Sequence, residues 1–332
     1  MYGGSIGRAK GHSPFGRTLG RPQGDGQGPE SQPAWKQTAV WIIYFSAALI
    51  LVRFYGAADT LCRKDIEREY AVGILDGKKG LILGVANNKS IAWGVAQAAK
   101  REGASLAFNF LGEQMEKRVR PLAESLNADI IAPMNVSEEA SIDAFFTQVK
   151  EQWGELDFIV HSIAYANKDA LQNRFMTTTR EDFHLALDVS AYSFIACAQR
   201  AAPMMKPGGS MITMTYLGAE RAIPGYNVMG VAKAALEAST RYLAQDLGKD
   251  GIRVNSVSAG PIRTLAASAV GDFRKLMEKS ARGSMLGRNV SQDEVGNTCV
   301  YLLSDLASGV SGELHYVDAG FHVGAGDPGI PG

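Results

Sequence analysis

Tyr226 and Lys233 are the two residues whose types and spacing are best suited to chemistry. A tyrosine hydroxyl can donate a hydrogen bond to an oxygen that gains negative charge, and a lysine ammonium can bind a hydroxylated ligand and support that donor. They lie in a stretch that predicts a helix over residues 226–247, where a separation of seven residues at about 100° each nearly completes two turns. Both side chains are therefore expected to face one cleft. Such a pair also occurs on purely structural helices, so its surroundings must decide.

The turn between the first predicted strand and its helix is a second candidate site. In a doubly wound sheet this turn offers backbone N–H groups and a helix amino terminus, which together bind a pyrophosphate. Gly84 allows a tight turn, and Ser90 can cap the helix or donate to a phosphate oxygen. Gly94, inside the helix, predicts a close approach of helix and strand. Because such turns also occur without a cofactor, the turn alone leaves binding open.

His161 is a further candidate, because it ends the fourth predicted strand at the sheet edge where ligands collect. A histidine there can act as a general base, yet at a buried strand end it is more often structural. We therefore expect no catalytic role for His161. The small residues that follow it leave room for a ring.

These residues must be positioned by short apolar runs that alternate with helical stretches from Gly73 onward. The alternation predicts an α/β fold, a single doubly wound Rossmann-type domain with a seven-stranded parallel sheet over residues 73–326 and a tail at 327–332. The predicted strands are residues 80–84, 105–110, 129–133, 158–161, 210–215, 253–258 and 314–317. The predicted helices are residues 90–101, 113–126, 139–153, 180–205, 226–247 and 291–304.

Residues 1–72 form an N-terminal extension with two parts. The first is rich in glycine and proline, which predicts a disordered leader because too little apolar surface can be buried. The second, residues 39–52, is apolar without a break, and as a helix it would span about 21 Å of a roughly 30 Å hydrocarbon layer. Three interpretations stay open: sequence that is not native because the start codon is assigned too early, a targeting segment, or an anchor. Membrane contact is expected only if residues 39–52 are native.

Composition and charge exclude several classes of function. Apolar residues make up 46% and charged residues 20% of the chain, as in soluble globular proteins with a sizeable core. The 34 basic residues balance 34 acidic ones, so no nucleic-acid partner is expected. Cys62, Cys197 and Cys299 lie far apart without CxxC spacing. They predict neither a disulfide framework nor a metal site, and they favour the cytoplasm.

Three stretches resemble the NADH-dependent enoyl-acyl-carrier-protein reductases of bacterial type II fatty acid synthesis, a branch of the short-chain dehydrogenase/reductase superfamily. Residues 84–94 have the spacing Gly-x5-Ser-Ile-Ala-x-Gly, and residues 215–233 combine Tyr-x6-Lys with Tyr216 ten residues before Tyr226. Residues 259–268 read AGPIRTLAAS. Ordinary short-chain dehydrogenases have Tyr-x3-Lys and an upstream serine instead. The resemblance covers residues 75–323.

The resemblance implies reduction of trans-2-enoyl-acyl-carrier protein to saturated acyl-carrier protein by hydride transfer from NADH, the last step of the elongation cycle. It also implies a homotetramer, with acyl-carrier protein as the partner that carries the enoyl thioester. The implied catalytic residues are Tyr226, Lys233 and Tyr216, and the implied substrate contacts are Ala166, Tyr216 and Tyr226. The implied cofactor contacts are Gly84, Ser90, Ile91, Asn135, Val136, Ile163, Lys233, Ile262, Arg263, Thr264, Leu265 and Ala266.

Two positions depart from the family pattern, because Leu111 stands where a glutamine is usual and Asn135 where an aspartate is usual. An asparagine can still accept a hydrogen bond from an adenine amino group, whereas Leu111 can only pack. We therefore expect altered NADH affinity rather than lost chemistry. Two other functions stay open. Tyr-x6-Lys argues against a short-chain carbonyl reductase or alcohol dehydrogenase, and the intact Tyr226–Lys233 pair argues against a non-catalytic dinucleotide-sensing Rossmann module.

Overall fold

The computed structural model describes residues 72–264 and 273–324. Within them seven strands form one parallel sheet in the order β3-β2-β1-β4-β5-β6-β7. The predicted doubly wound α/β fold with seven parallel strands is therefore confirmed. The strands are β1 Lys79–Leu83, β2 Ser105–Phe110, β3 Ile130–Pro133, β4 Leu156–His161, β5 Met205–Thr215, β6 Arg253–Ala259 and β7 Leu314–Val317.

The α-helices of the described residues cover both faces of the sheet. They are α1 Ile91–Arg101, α2 Gly112–Ser125, α3 Glu139–Trp153, α4 Lys168–Gln172, α5 Arg180–Leu187, α6 Ser193–Ala201, α7 Asn227–Leu247, α8 Phe273–Gly283 and α9 Gln292–Leu303.

Alternate strand residues point to opposite faces of the sheet and build a core on each side. Ile82 packs in the cluster that contains residues of α1 and α9. Its neighbour Leu81 packs in the cluster that contains residues of α3, α6 and α7. Because both faces are covered, β2, β4 and β6 are buried along almost their whole length, and the buried residues of β6 include polar ones.

One predicted helix, residues 180–205, is wrong in its continuity. A π-helical turn, Asp188–Tyr192, separates α5 from α6, and Met205 already belongs to β5. The side chain of Ser190 in this turn accepts a hydrogen bond from the Tyr165 backbone N–H and donates to the Tyr165 carbonyl, at 3.0 and 3.1 Å. This interaction between distant residues accompanies the interruption and joins the helix to the segment after β4. The short α4 and α8 were not predicted.

The strand order reverses between β1 and β4, since β1 pairs with β2 on one side and with β4 on the other. In open α/β sheets ligands bind at such a reversal, beyond the carboxyl ends of the strands. The segments that follow Leu83 and His161 therefore border the expected crevice.

The predicted leader, the apolar segment 39–52 and the tail at 327–332 lie outside the described residues. Within residues 72–264 and 273–324, no helix is both long enough and apolar enough to cross a membrane. The same residues contain no group of three or more His, Cys, Asp or Glu side chains that could hold a metal ion.

Candidate active site

Gly84 directly follows β1 in a conformation that favours glycine. Its φ is +96°, and a Cβ there would lie 2.3 Å from the Ser162 carbonyl oxygen and 3.1 Å from Ile163 Cγ1. The turn after β1 is thus pressed against the segment after β4. The Gly84 N–H donates to Asn109 Oδ1 at 3.0 Å. Asn109 is a turn-forming residue that sequence reasoning missed, because its partner is far away along the chain.

Ser90 organises this turn but does not cap the helix. Its Oγ accepts from the N–H groups of Ala86 and Asn87, at 2.9 and 3.1 Å, and it makes no side-chain cap bond to α1. The capping role is therefore wrong. Because the oxygen accepts in both bonds, its hydroxyl proton can still be donated to a phosphate oxygen. The uncapped first turn, which begins at Ile91, presents N–H groups and the positive end of the helix dipole to the crevice.

Gly94 lies inside α1, as expected, but its close contact is with a helix rather than a strand. A Cβ on Gly94 would lie 2.7 Å from the Gln292 carbonyl oxygen, and one on Gly296 would lie 2.6 Å from the Gly94 carbonyl oxygen. These two glycines let α1 and α9 pack closely. Gln292 Nε2 also donates to the Ser90 carbonyl at 2.5 Å, which ties α9 to the start of α1.

The expected adenosine end of the site lies beyond β2 and β3. Leu111 follows β2 directly and is 59% exposed, so it offers an apolar surface. The Asn135 Oδ1 accepts from the Ser137 N–H at 3.1 Å, and its Nδ2 donates to Glu138 Oε1 at 2.7 Å. The amide is therefore held in one orientation, and Oδ1 keeps a second lone pair for a ligand. Val136 beside it is buried.

His161 is buried, and both of its ring nitrogens have partners. They lie 3.1 Å from Thr213 Oγ1 and 2.8 Å from Ser193 Oγ. Burial, together with the charge of Lys233, lowers the pKa of His161 to about 3, so the ring stays neutral at physiological pH. These contacts support a structural role.

Tyr216 and Tyr226 meet at the carboxyl end of β5. Their ring centroids are 5.1 Å apart with an interplanar angle of 73°, an edge-to-face arrangement. The Tyr216 hydroxyl is buried and has no hydrogen-bond partner within the described part of the chain. A Cβ on Gly218 would lie 2.4 Å from the Tyr226 ring, so only glycine leaves the ring its place. A buried donor without a partner is suited to receive a ligand oxygen.

Tyr226 is the N-cap residue of α7 rather than its first helical residue, so the predicted helix begins one residue too early. The next residue, Asn227, has a φ of +38°. Its side chain is fixed by donation to the carbonyls of Leu171 and Asn173, at 2.9 and 2.6 Å. This anchoring fixes the start of α7 and therefore the position of Tyr226, which directly precedes it.

Burial keeps both tyrosines in their protonated form. It raises the pKa of Tyr216 to about 12, with a smaller effect from the Asp318 charge. Burial also raises the pKa of Tyr226 well above its usual value, and Tyr216 and Glu237 add to the effect. At neutral pH both hydroxyls are therefore hydrogen-bond donors.

Lys233 is buried two turns along α7 and points toward β5. Its Nζ donates to the Met214 carbonyl at 2.8 Å. Burial lowers the pKa of Lys233 to about 8, against the opposing effect of the Glu237 charge. At pH 7 most copies of the protein therefore carry a positive charge on Lys233, at the end of β5.

Ala166 lies on the apolar side of the same site. It packs, with Ala164 and Tyr226, against a small buried cluster that includes Val228 and Met229 of α7. An apolar wall that includes Tyr226 fits a ligand with a hydrocarbon chain. Of the expected site residues, Ala166 and Tyr226 are thus brought together.

The loop after β6 is described only in part. Ile262 packs against the core cluster that contains residues of α1 and α9, while Arg263 is exposed. The Thr264 N–H donates to the Ile262 carbonyl at 2.9 Å. Leu265 and Ala266 lie outside the described residues.

Comparison with known proteins gives consistent matches. The family model described as "Enoyl-(Acyl carrier protein) reductase" matches residues 84–322. Enoyl-[acyl-carrier-protein] reductase [NADH] 1 of Rhizobium meliloti is 54% identical over 252 residues, which are 76% of this chain and 93% of that protein. The enoyl-(acyl-carrier-protein) reductase of Anaplasma phagocytophilum, whose crystal structure contains NAD, is 46% identical with a TM-score of 0.74. That match covers 78% of this chain and 98% of the solved one.

Proposed function

The chain belongs to the enoyl-(acyl carrier protein) reductase family, and we propose that Tyr226, Lys233 and Tyr216 are the residues with which it reduces its substrate. As a member of this family it is an oxidoreductase of fatty acid synthesis that uses NADH, and its trans-2-enoyl substrate is carried by acyl-carrier protein. A carbonyl reductase and a non-catalytic sensing module are not favoured. The product is the saturated acyl-carrier-protein thioester, with a new hydrogen at the β-carbon and another at the α-carbon.

The crevice fits a dinucleotide, because the uncapped start of α1 lies at the strand-order reversal. NADH, when bound, supplies the hydride that adds to the β-carbon. We assign its pyrophosphate to Gly84, Ser90 and Ile91, and its nicotinamide ribose to Lys233. The remaining proposed contacts are Asn135 and Val136 at the adenosine end, and Ile163, Ile262, Arg263, Thr264, Leu265 and Ala266 around the nicotinamide.

Tyr226 is the proposed donor to the thioester oxygen. Addition of hydride at the β-carbon moves negative charge onto this oxygen, and a hydrogen bond from Tyr226 is strongest in that charged state. The Lys233 ammonium, on α7 and bonded to the end of β5, adds positive charge to the site. The α-carbon then takes a proton. Within the described residues the Tyr216 hydroxyl is buried without a hydrogen-bond partner, so it either shapes the acyl site or assists this proton step. The observation that carries the proposal is the edge-to-face contact of Tyr216 with Tyr226, together with the bond of Lys233 to the Met214 carbonyl, two residues before Tyr216.

A direct test measures the loss of NADH absorbance when the purified full chain is given crotonyl-acyl-carrier protein. The same measurement is then made with a ketoacyl thioester. Tyr226→Phe removes the donor, and kcat should fall by about 10²- to 10³-fold while NADH affinity is retained. Tyr301→Phe, on the surface of α9, is the matched control and should leave turnover unchanged. Wild-type turnover in Tyr226→Phe, or turnover of the ketoacyl thioester alone, would overturn the assignment.

Tyr216→Phe separates the two roles left to that residue. A loss in kcat with an unchanged KM for the enoyl thioester would assign Tyr216 to the proton step. A higher KM at unchanged kcat would assign it to the acyl site. Wild-type values for both would remove Tyr216 from the mechanism.

We also propose that the chain is a homotetramer in the cytoplasm. Tyr242 on α7 is 76% exposed, and it lines a largely apolar groove with Ile195, Ala238 and Leu243. An exposed aromatic residue in such a groove supports contact with a second copy of the chain. Analytical ultracentrifugation of the full chain should give the mass of four copies, and the Tyr242→Glu variant should give a smaller mass. A wild-type monomer at micromolar concentration would contradict the tetramer.

A further inference from the structure

Glu237 is a buried acid that the mechanism above does not use. It lies one helical turn after Lys233 on α7 and is only 7% exposed. A carboxylate removed from water is costly unless hydrogen bonds and an opposite charge compensate it. Here Thr215 Oγ1 donates to Glu237 Oε1 at 2.6 Å. The cost of burying this acid suggests a role beyond packing.

Lys233 and Glu237 hold two consecutive residues at the end of β5. Lys233 Nζ binds the Met214 carbonyl at 2.8 Å, and Glu237 binds the Thr215 hydroxyl. The next residue is Tyr216, whose ring contacts Tyr226. Two side chains one turn apart on α7 thus fix the strand end that carries one tyrosine, while α7 itself begins beside the other.

The charges around this pair come from several elements. On α7, the charges of Lys233 and Arg241 both favour the charged form of Glu237. Burial of the carboxyl disfavours the charged form most, and the charge of Glu220, from the segment after β5, adds to this effect. The pKa of Glu237 is therefore raised overall. At the end of β4, Lys233 interacts with His161, which is neutral at physiological pH. Glu237 therefore supplies the negative charge that favours the ammonium form of Lys233.

We propose that Glu237 is a positioning residue for hydride transfer: through Thr215 it fixes the end of β5, and its negative charge maintains Lys233 as the ammonium ion that binds the cofactor. The proposal rests on the function assigned to Lys233 above. Glu237 need not touch NADH or the enoyl thioester for either effect.

The first test is Glu237→Gln in the full chain, which keeps an acceptor for Thr215 but removes the charge. As the pH is raised, kcat/KM for crotonyl-acyl-carrier protein should begin to fall at a pH at least about half a unit lower in the variant than in the wild type. The NADH dissociation constant at pH 8, measured by NADH fluorescence, should rise by about twofold or more because less Lys233 is protonated. Asp250→Asn, an exposed acid just after α7, is the matched control and should change neither value.

An unshifted fall of kcat/KM with pH, together with wild-type NADH affinity in Glu237→Gln, would overturn the proposal. Lys233→Met distinguishes this failure from failure of the proposed function. If Lys233→Met binds NADH as the wild type does, the role of Lys233 is wrong and the Glu237 proposal falls with it. If Lys233→Met loses NADH and Glu237→Gln behaves as wild type, only the proposal for Glu237 is wrong.

The Thr215 hydrogen bond gives a second measurement that does not depend on the folding of Glu237→Gln. Thr215→Val keeps the shape and removes the donor, and kcat should fall by about tenfold because the Tyr216 end of β5 is held less well. Thr215→Ser restores the donor and should restore kcat. Equal kcat in the valine and serine variants would contradict the positioning role.

Discussion

Gly218→Ala is expected to disable the proposed site by displacing one ring. Gly218 does not have a positive φ, so alanine can adopt its backbone conformation without strain. The added Cβ would lie 2.4 Å from Tyr226 Cδ1 and 2.7 Å from Cε1. The Tyr226 ring also packs on Tyr216 and the apolar cluster of α7, which restricts how it can yield. The substitution therefore acts on the proposed donor itself.

The size of the effect follows from this distance. Carbon atoms in contact are about 3.5 Å apart, so the Tyr226 ring must move by about 1 Å. A displacement of about 1 Å in a catalytic group lowers turnover by roughly 10²-fold. Overpacking should lower the free energy of unfolding by about 1–3 kcal/mol. NADH binding at the start of α1 should change little, because Gly218 is not one of its proposed contacts.

The assay compares Gly218→Ala with Gly248→Ala at the end of α7. A Cβ on Gly248 would have no heavy atom within 4 Å, so this control adds the same methyl group without a clash. We expect kcat for crotonyl-acyl-carrier protein to fall in Gly218→Ala and to stay at the wild-type value in Gly248→Ala. The reasoning is refuted if Gly218→Ala keeps kcat within about threefold of the wild type, a change far below the 10²-fold expected from misplacement.

Three further predictions follow from the cofactor site. The double variant Leu111→Gln, Asn135→Asp should lower the NADH KM by roughly tenfold, which is about 1.4 kcal/mol, and an unchanged KM would show that neither position limits affinity. Gly94→Ala places a Cβ 2.7 Å from the Gln292 carbonyl oxygen and should destabilise the fold by about 1–3 kcal/mol in urea unfolding. Because the pKa of Lys233 is lowered to about 8, kcat/KM of the wild type should fall as the pH rises through 8 and the ammonium is lost. A profile that is flat to pH 10 would contradict a required charge on Lys233.

The regular part of the fold was predictable because burial on both faces leaves a local pattern. Seven apolar runs marked the seven strands, and all seven are present. The break at Asp188–Tyr192 was not predictable in the same way. It accompanies hydrogen bonds from Ser190 to Tyr165, a residue 25 positions earlier. The spacing of apolar residues depends on near neighbours in the chain, so it does not predict a hydrogen bond to a residue this far away.

The site shows the same division. The placement of Tyr216, Tyr226 and Lys233 near one strand end and one helix was predictable from their spacing, while their catalytic roles stay predictions. Asn109 was missed, since its role depends on a hydrogen bond from the Gly84 N–H, in the turn after β1 and 25 residues earlier in the chain. Glu237 was missed for a different reason, because an acid one turn after a lysine on a helix usually indicates a solvated pair. Its burial and its bond to β5 become visible only in three dimensions.

The two ends of the proposed cofactor site belong to different elements, and this separation explains why the departures at Leu111 and Asn135 are compatible with catalysis. Both follow strands β2 and β3, at the outer side of the strand-order reversal. The proposed reacting groups lie at the end of β5 and on α7, on the other side of the reversal. The Asn135 amide bonds to Ser137 and Glu138 beside it, and the Leu111 side chain is exposed. A change at either position therefore alters binding energy that substrate-bound and transition states share. Affinity for NADH can thus vary while the tyrosine and lysine geometry, and with it the chemical step, stays fixed.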